Sequence, residues 1–322
     1  MIKDTKSVEI DPKTSQSKAD KNFEKKENKV WHVIGDNVFK PSGDAVIMKK
    51  IPAGYYNLNY SSNIGNFIEK QSFINDDYIH LPIKEFEEII NDINKFWTLV
   101  PQFKKYGFIH KRGILLHGKQ GNGKSFLMSA IINNLIKNYD GIIFSISSGD
   151  DLEVFSSFFN SDFRKIEPDR PVIVTLEDID GLLDRNDKET NLLNILDGIK
   201  HTSNIVYIAT TNHIEKLEER IINRPSRFDR RYHIKEADEN VRRVFIENKL
   251  HKDDLSKINI DEWVKKTEGY SLAHIKELII SVVIYNNSLE DTLAYINEMK
   301  QRPQVDTEWK DNDEKTGFCL ST

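Results

Sequence analysis

The sequence predicts an α/β protein: a parallel sheet covered on both faces, an all-helical part after it and a small β-rich module before it. Three observations predict it. Continuous apolar runs at 113–117, 142–146, 172–176 and 205–209 read as strands buried on both faces. They alternate with stretches of helical periodicity, as parallel strands joined by crossover helices require. After Ile234 the strand signal stops and only helical patterns follow.

Taken in order, residues 1–29 are rich in Lys, Asp, Glu and Ser. Ordering them would cost backbone entropy without burying apolar surface, so a disordered charged arm is expected. From Trp31, β-prone runs at 33–34, 45–48 and 55–60 are separated by Gly35-Asp36, Pro41-Ser42-Gly43-Asp44 and Pro52-Ala53-Gly54. These turn signals predict a separate β-rich module over 30–82. The α/β part is expected over 83–235. It opens with Phe86, Ile89, Ile90, Ile93 and Phe96 at helical spacing, and its first buried strand is followed by a helix at 124–139. The helical part spans 236–302, with Asp238, Asp261 and Ser271 as helix caps. Leu272, Ile275, Leu278, Ile279 and Val282 form one apolar stripe there. Residues 303–322 are polar and read as a loose tail.

Composition narrows the function. A net charge of -5 over 322 residues argues against a protein whose main task is gripping nucleic acid. Cys319 is the single cysteine, so neither a disulfide framework nor a cysteine-rich metal site is expected. The opening residues have no apolar core of a secretory signal, and no run of about 18 apolar residues occurs. A cytoplasmic protein without membrane insertion is expected.

Two segments carry chemistry. Gly118-Lys119-Gln120-Gly121-Asn122-Gly123-Lys124-Ser125 follows a strand and opens a helix. This is the phosphate-binding G-x-x-x-x-G-K-[ST] pattern in the context it requires. Glycines let backbone N–H groups turn inward as an anion nest, and the helix N-terminus adds its positive dipole end. Lys124 is placed to reach the β- and γ-phosphates of ATP and Ser125 to ligate Mg²⁺. Gly118, Gln120, Gly121, Asn122, Gly123 and Phe126 complete the candidate nucleotide contacts. The second segment is Glu177-Asp178, where the 172–176 strand ends. Ligands bind outside the carboxyl ends of strands in open α/β sheets. Glu177 is the candidate Mg²⁺-side acid and Asp178 the candidate catalytic base.

Together with 112–118, 192–198, Ala209-Thr210-Thr211-Asn212 and Arg224-Pro225-Ser226-Arg227-Phe228-Asp229-Arg230, these segments resemble the AAA family of AAA+ P-loop ATPases over roughly residues 96–285. Leu176-Glu177-Asp178-Ile179-Asp180 also looks like the branch containing the mitochondrial Rieske-protein translocase. The family reads Asp-Glu where this chain has Glu177-Asp178, so the base is one methylene shorter, and slow hydrolysis or a backbone adjustment is expected. The resemblance implies a P-loop sheet with a helical lid, ATP hydrolysis, Asn212 as a γ-phosphate sensor and Ala273 beside the nucleotide. The lid motif Gly269-Tyr270-Ser271-Leu272-Ala273-His274 has Leu272 and His274 where the family has Gly and Asp. Arg224 and Arg227 match arginine fingers lent to a neighbouring subunit, which implies a homo-oligomeric ring, a hexamer by family type. Phe155 aligns with a substrate-gripping pore loop, although a plain core helix accounts for it equally well. A motor that remodels or translocates a protein is the first reading. A nucleic-acid-directed loader or helicase-like machine is the alternative, disfavoured by the charge, and a slow assembly scaffold is the third.

Overall fold

The computed structural model describes residues 50–62, 65–71, 79, 81–182, 192–193, 195–197, 203–217, 221 and 227–301, plus the backbone of four short strands before them. Those strands are β1 Glu24–Lys25, β2 Val30–Ile34, β3 Val38–Ser42 and β4 Val46–Ile47; β1 pairs with β4 and β2 with β3, both antiparallel. Apart from Glu24 and Lys25, the expected arm lies outside the described residues, as do the expected tail and Arg224.

The chain divides into two compact units. The first comprises 1–78, 85–118 and 124–233; the second comprises 79–84, 119–123 and 234–322.

The first unit is built on seven strands: β5 Gly54–Ser61, β6 Gly65–Gln71, β7 Lys111–His117, β8 Ile142–Ile146, β9 Val172–Leu176, β10 Ile205–Thr211 and β11 Arg230–His233. Their order across the sheet is β11-β7-β10-β9-β8-β5-β6. Every neighbouring pair is parallel except β5 and β6, which form an antiparallel hairpin. The four predicted strands are four of the five inner ones, β7, β10, β9 and β8. All residues of β9 and β10 are buried, which explains why their sequences show no alternation.

Two strands differ from expectation. The sequence reading assigns residues 54–71 to a separate module, but β5 pairs in parallel with β8 from Gly54 opposite Ile142 to Asn57 opposite Ser145. Tyr56 and Leu58 are buried in the same core cluster as Phe144 and Leu176. Pro52-Ala53-Gly54 marks a turn equally well before a separate module and before a further strand of the main sheet, so punctuation alone placed the boundary wrongly. The other strand is β11, whose Arg-Arg-Tyr-His sequence has no buried residue and therefore no apolar signal.

Helices α1 Lys84–Thr98, α2 Val100–Lys105, α3 Lys124–Tyr139, α4 Gly149–Phe158, α5 Arg164–Ile166 and α6 Ile179–Leu182 accompany the sheet. Helix α1 buries Phe86, Ile89, Ile93, Phe96 and Trp97 along one stripe. Each such side chain contributes about 1.5–3 kcal/mol by leaving water. Helix α4 starts at Ser148, which forms a capping box with Asp151, and runs into a π-helical turn at Phe159–Phe163. Phe155, Phe159 and Phe163 pack around Phe144 of β8 at centroid distances of 5.9, 6.2 and 5.3 Å. Phe155 is only 1% exposed. Its expected place in a substrate-gripping pore loop is therefore corrected: a ring closed into the core cannot grip a polypeptide.

Among its described residues the second unit is helical apart from its loops. It contains α7 Glu239–Lys249, α8 Lys252–Leu255, α9 Ile260–Lys266, α10 Leu272–Ile279 and α11 Leu289–Gln301. Asp238 caps α7 and Ser271 caps α10 as expected. The cap of α9 is Asn259 rather than Asp261, which lies inside the first turn. Both residue types suit either place, so their order near a helix start is poorly marked in sequence.

Candidate functional site

Sheet register assembles the site in the first unit. Strands β7 and β10 run in parallel with His117 opposite Thr211, so Gly118 and Asn212 leave the sheet side by side. Strands β9 and β10 set Leu176 opposite Ala209, which carries Asp178 to the same edge. Lys124, on the first turn of α3, folds its ammonium back over this edge. It donates to the Gly118 carbonyl at 2.6 Å and to Asn212 Oδ1 at 2.7 Å. Asn212 Nδ2 in turn donates to Asp178 Oδ1 at 3.1 Å. Candidates separated by 88 and 34 positions in sequence thus form one chain of hydrogen bonds.

Burial lowers the pKa of Lys124, against the opposing pull of Asp178 and Asp180. The reverse holds for Glu177, whose pKa is raised first by burial and then by the Asp178 charge beside it. A cation beside the acids or an anion beside the lysine would offset that burial. Ser125 and Glu177 both reach the surface there, although the Glu177 carboxyl itself is partly shielded from water. A hydroxyl and a carboxylate are hard oxygen donors and fit Mg²⁺ completed by phosphate and water oxygens. No group of three or more His, Cys, Asp or Glu able to hold a metal occurs among the described residues.

Two residues that sequence reasoning did not assign, Thr210 and Thr211, also hold this edge, and a third, Asp197, binds Arg227 near the start of β7. The Asp178 N–H donates to Thr210 Oγ1 at 3.1 Å, and Thr211 Oγ1 donates to Asp180 Oδ1 at 2.7 Å. Asp197 receives Arg227 Nε and Nη2, both at 2.8 Å, in a bidentate pair. The signal for the threonines was present: two hydroxyls at a strand end beside a strand ending in acids. Arg227 was expected to reach a neighbouring subunit. Instead its side chain is 4% exposed and bound inside its own chain. Gly113 explains the close passage of that segment, because a Cβ there would lie 1.6 Å from the Arg227 carbonyl oxygen.

In the second unit, Gln120, Gly121, Ser271, Ala273 and His274 line a cavity of about 410 Å³. Gly121 has φ +80, and a Cβ on it would meet Ser271 Oγ at 2.6 Å and Ala273 Cβ at 3.0 Å. Only glycine suits both the conformation and the space. Ala273 thus lies beside Gly121 of the loop. Asn122 points elsewhere: its buried side chain donates to the Ile234 carbonyl at 3.3 Å, so only its backbone remains for a ligand. His274 Nδ1 accepts from the Ser271 N–H at 3.3 Å as part of the α10 capping box. Burial, then Lys300, lowers its pKa and favours that neutral acceptor.

Residues 114–236 match the family profile described as "ATPase family associated with various cellular activities (AAA)". An ATP-dependent zinc metalloprotease, FtsH 2, of Sphaerobacter thermophilus is 26% identical over 216 residues, covering 62% of this chain and 32% of that protein. An AAA-ATPase of Arabidopsis thaliana is 35% identical over 171 residues, covering 44% of this chain and 34% of its own length. A putative cell division cycle ATPase of Plasmodium falciparum is 27% identical over 217 residues, covering 63% of this chain and 17% of that protein. The chain therefore spans about a third or less of these relatives' lengths.

Proposed function

Residues 114–236 are a P-loop ATPase domain of the AAA family, and from that premise we propose that the protein hydrolyses ATP at the Lys124–Asn212–Asp178 edge, within a ring that remodels a protein substrate. The observation that carries the reading is the hydrogen-bonded chain from Gly118 through Lys124 and Asn212 to Asp178. It supports the reading because a single side chain, Asn212, bridges the Lys124 cation and the Asp178 carboxylate.

The residues divide the work by their chemistry. The loop from Gly118 to Gly123 turns N–H groups toward the phosphates, and Lys124 exchanges its protein acceptors for phosphate oxygens. Ser125 and Glu177 would hold Mg²⁺, which supplies charge neutralisation on the phosphate oxygens when bound. Asp178 polarises the attacking water, and Asn212 fixes that carboxylate while adding no charge of its own. The products are ADP and phosphate. Arg224 is the arginine lent to the neighbouring site, since Arg227 is held by Asp197 within its own chain. The 322 residues contain no His-Glu-x-x-His, so the protease part named in the FtsH relative has no counterpart in this sequence.

The experiment is phosphate release from wild type, Lys124→Ala, Arg224→Ala and an equimolar mixture of the two variants. Wild type turns over, each variant alone is nearly silent, and the mixture recovers part of the rate, because a Lys124→Ala subunit still lends its Arg224. A silent mixture of folded, assembled variants would remove the shared site. Asp178, shorter than the family's usual Glu, favours one second reading, a nucleotide-bound assembly scaffold. Wild type that assembles with ATP yet releases no phosphate would select it.

A further inference from the structure

Asp178 has φ +46, in the left-handed region that side-chain-bearing residues rarely occupy. Asp and Asn tolerate this region better than most, but such a conformation persists only where its surroundings hold it. The surroundings here are specific. The Asp178 N–H donates to Thr210 Oγ1 at 3.1 Å, its carbonyl accepts from the Gly181 N–H at 2.9 Å, and its carboxylate accepts from Asn212 at 3.1 Å. Thr211 fixes the next acid, Asp180, at 2.7 Å. Thr210 is 7% and Thr211 0% exposed, so neither hydroxyl is held there by solvent.

We propose that Thr210 is a positioning residue for the reaction, setting the backbone of Asp178 so that its short side chain reaches the attacking water. The inference rests on the ATPase reading given above. A longer acid could reach the same point from ordinary backbone. An aspartate loses that reach, and rotating φ to positive values redirects Cβ instead. The Thr210 hydroxyl is the acceptor aimed at the N–H of the rotated residue, from a strand whose position is fixed by pairing with both β7 and β9. Thr210 touches no reacting atom; it acts through residue 178.

The test compares Thr210→Val, which keeps the shape and deletes the acceptor, with Thr210→Ser, which keeps the acceptor. Thr210→Val lowers kcat by about tenfold to a hundredfold, the scale of a misplaced catalytic group. KM for ATP and the thermal midpoint stay near wild type, and Thr210→Ser restores most of kcat. In an Asp178→Asn background, Thr210→Val costs nothing further. Unchanged kcat in Thr210→Val, or an equal loss with and without Asp178, overturns the inference. So does a fall in kcat that only follows a fall in thermal midpoint. Wild type without turnover would sink the ATPase reading alone. The crystal structure of the Thr210→Val protein would then decide the inference: residue 178 still at positive φ overturns it, and residue 178 returned to negative φ supports it.

Discussion

At the scale of single residues, the polar groups that converge in space could be named from sequence wherever chemistry needs one residue type at one spacing. Lys124, Asn212 and Asp178 were each identified from sequence, and the structure brings their side chains into one hydrogen-bonded chain. Arg227 shows where this reasoning stops. A guanidinium that can fork onto phosphate forks equally well onto a carboxylate, and no local pattern in sequence marks Asp197, thirty positions away, as its acceptor. Because that pair is largely buried, Arg227→Ala leaves Asp197 without its counter-charge and should cost about 2–3 kcal/mol. Urea denaturation of the variant measures this. If stability is untouched while turnover falls, Arg227 serves a neighbouring subunit rather than its own loop.

Among the elements, the central strands were the easiest to read. Burial on both faces writes a mostly apolar run without alternation, and β8, β9 and β10 carry such runs. Edge strands carry weaker signals, which is why β11 was missed; β5 is an inner strand, but with its hairpin partner β6 at the other edge it was assigned to a module of its own. Helix α4 raises the opposite difficulty. Its phenylalanines fit a core helix and a substrate loop equally well, because apolar periodicity reports what is buried and not what buries it. The structure places Phe155 against Phe144 and Phe159, at 5.9 and 4.8 Å between ring centroids. Phe155→Ala should therefore cost about 3–5 kcal/mol of stability, as other large-to-small core changes do. A thermal melt checks it; a variant as stable as wild type would return the residue to the surface.

On the scale of the whole molecule, what was legible is the order of the motifs, and what was not is how the sheet continues on either side of them. Strand register does the assembling. His117 lies opposite Thr211 and Ala209 opposite Leu176, so the residues following three separate strands emerge along one edge. That edge unites lysine, amide and carboxylate without any of them being neighbours in sequence. The most direct test of this arrangement is calorimetric titration of ATP with magnesium into wild type and Lys124→Ala. Loss of one charge-assisted phosphate contact of about 1.5–3 kcal/mol should weaken binding by roughly tenfold or more, with the fold retained. Equal affinity in the two proteins would contradict the account, because the phosphates would then lie somewhere other than over Lys124.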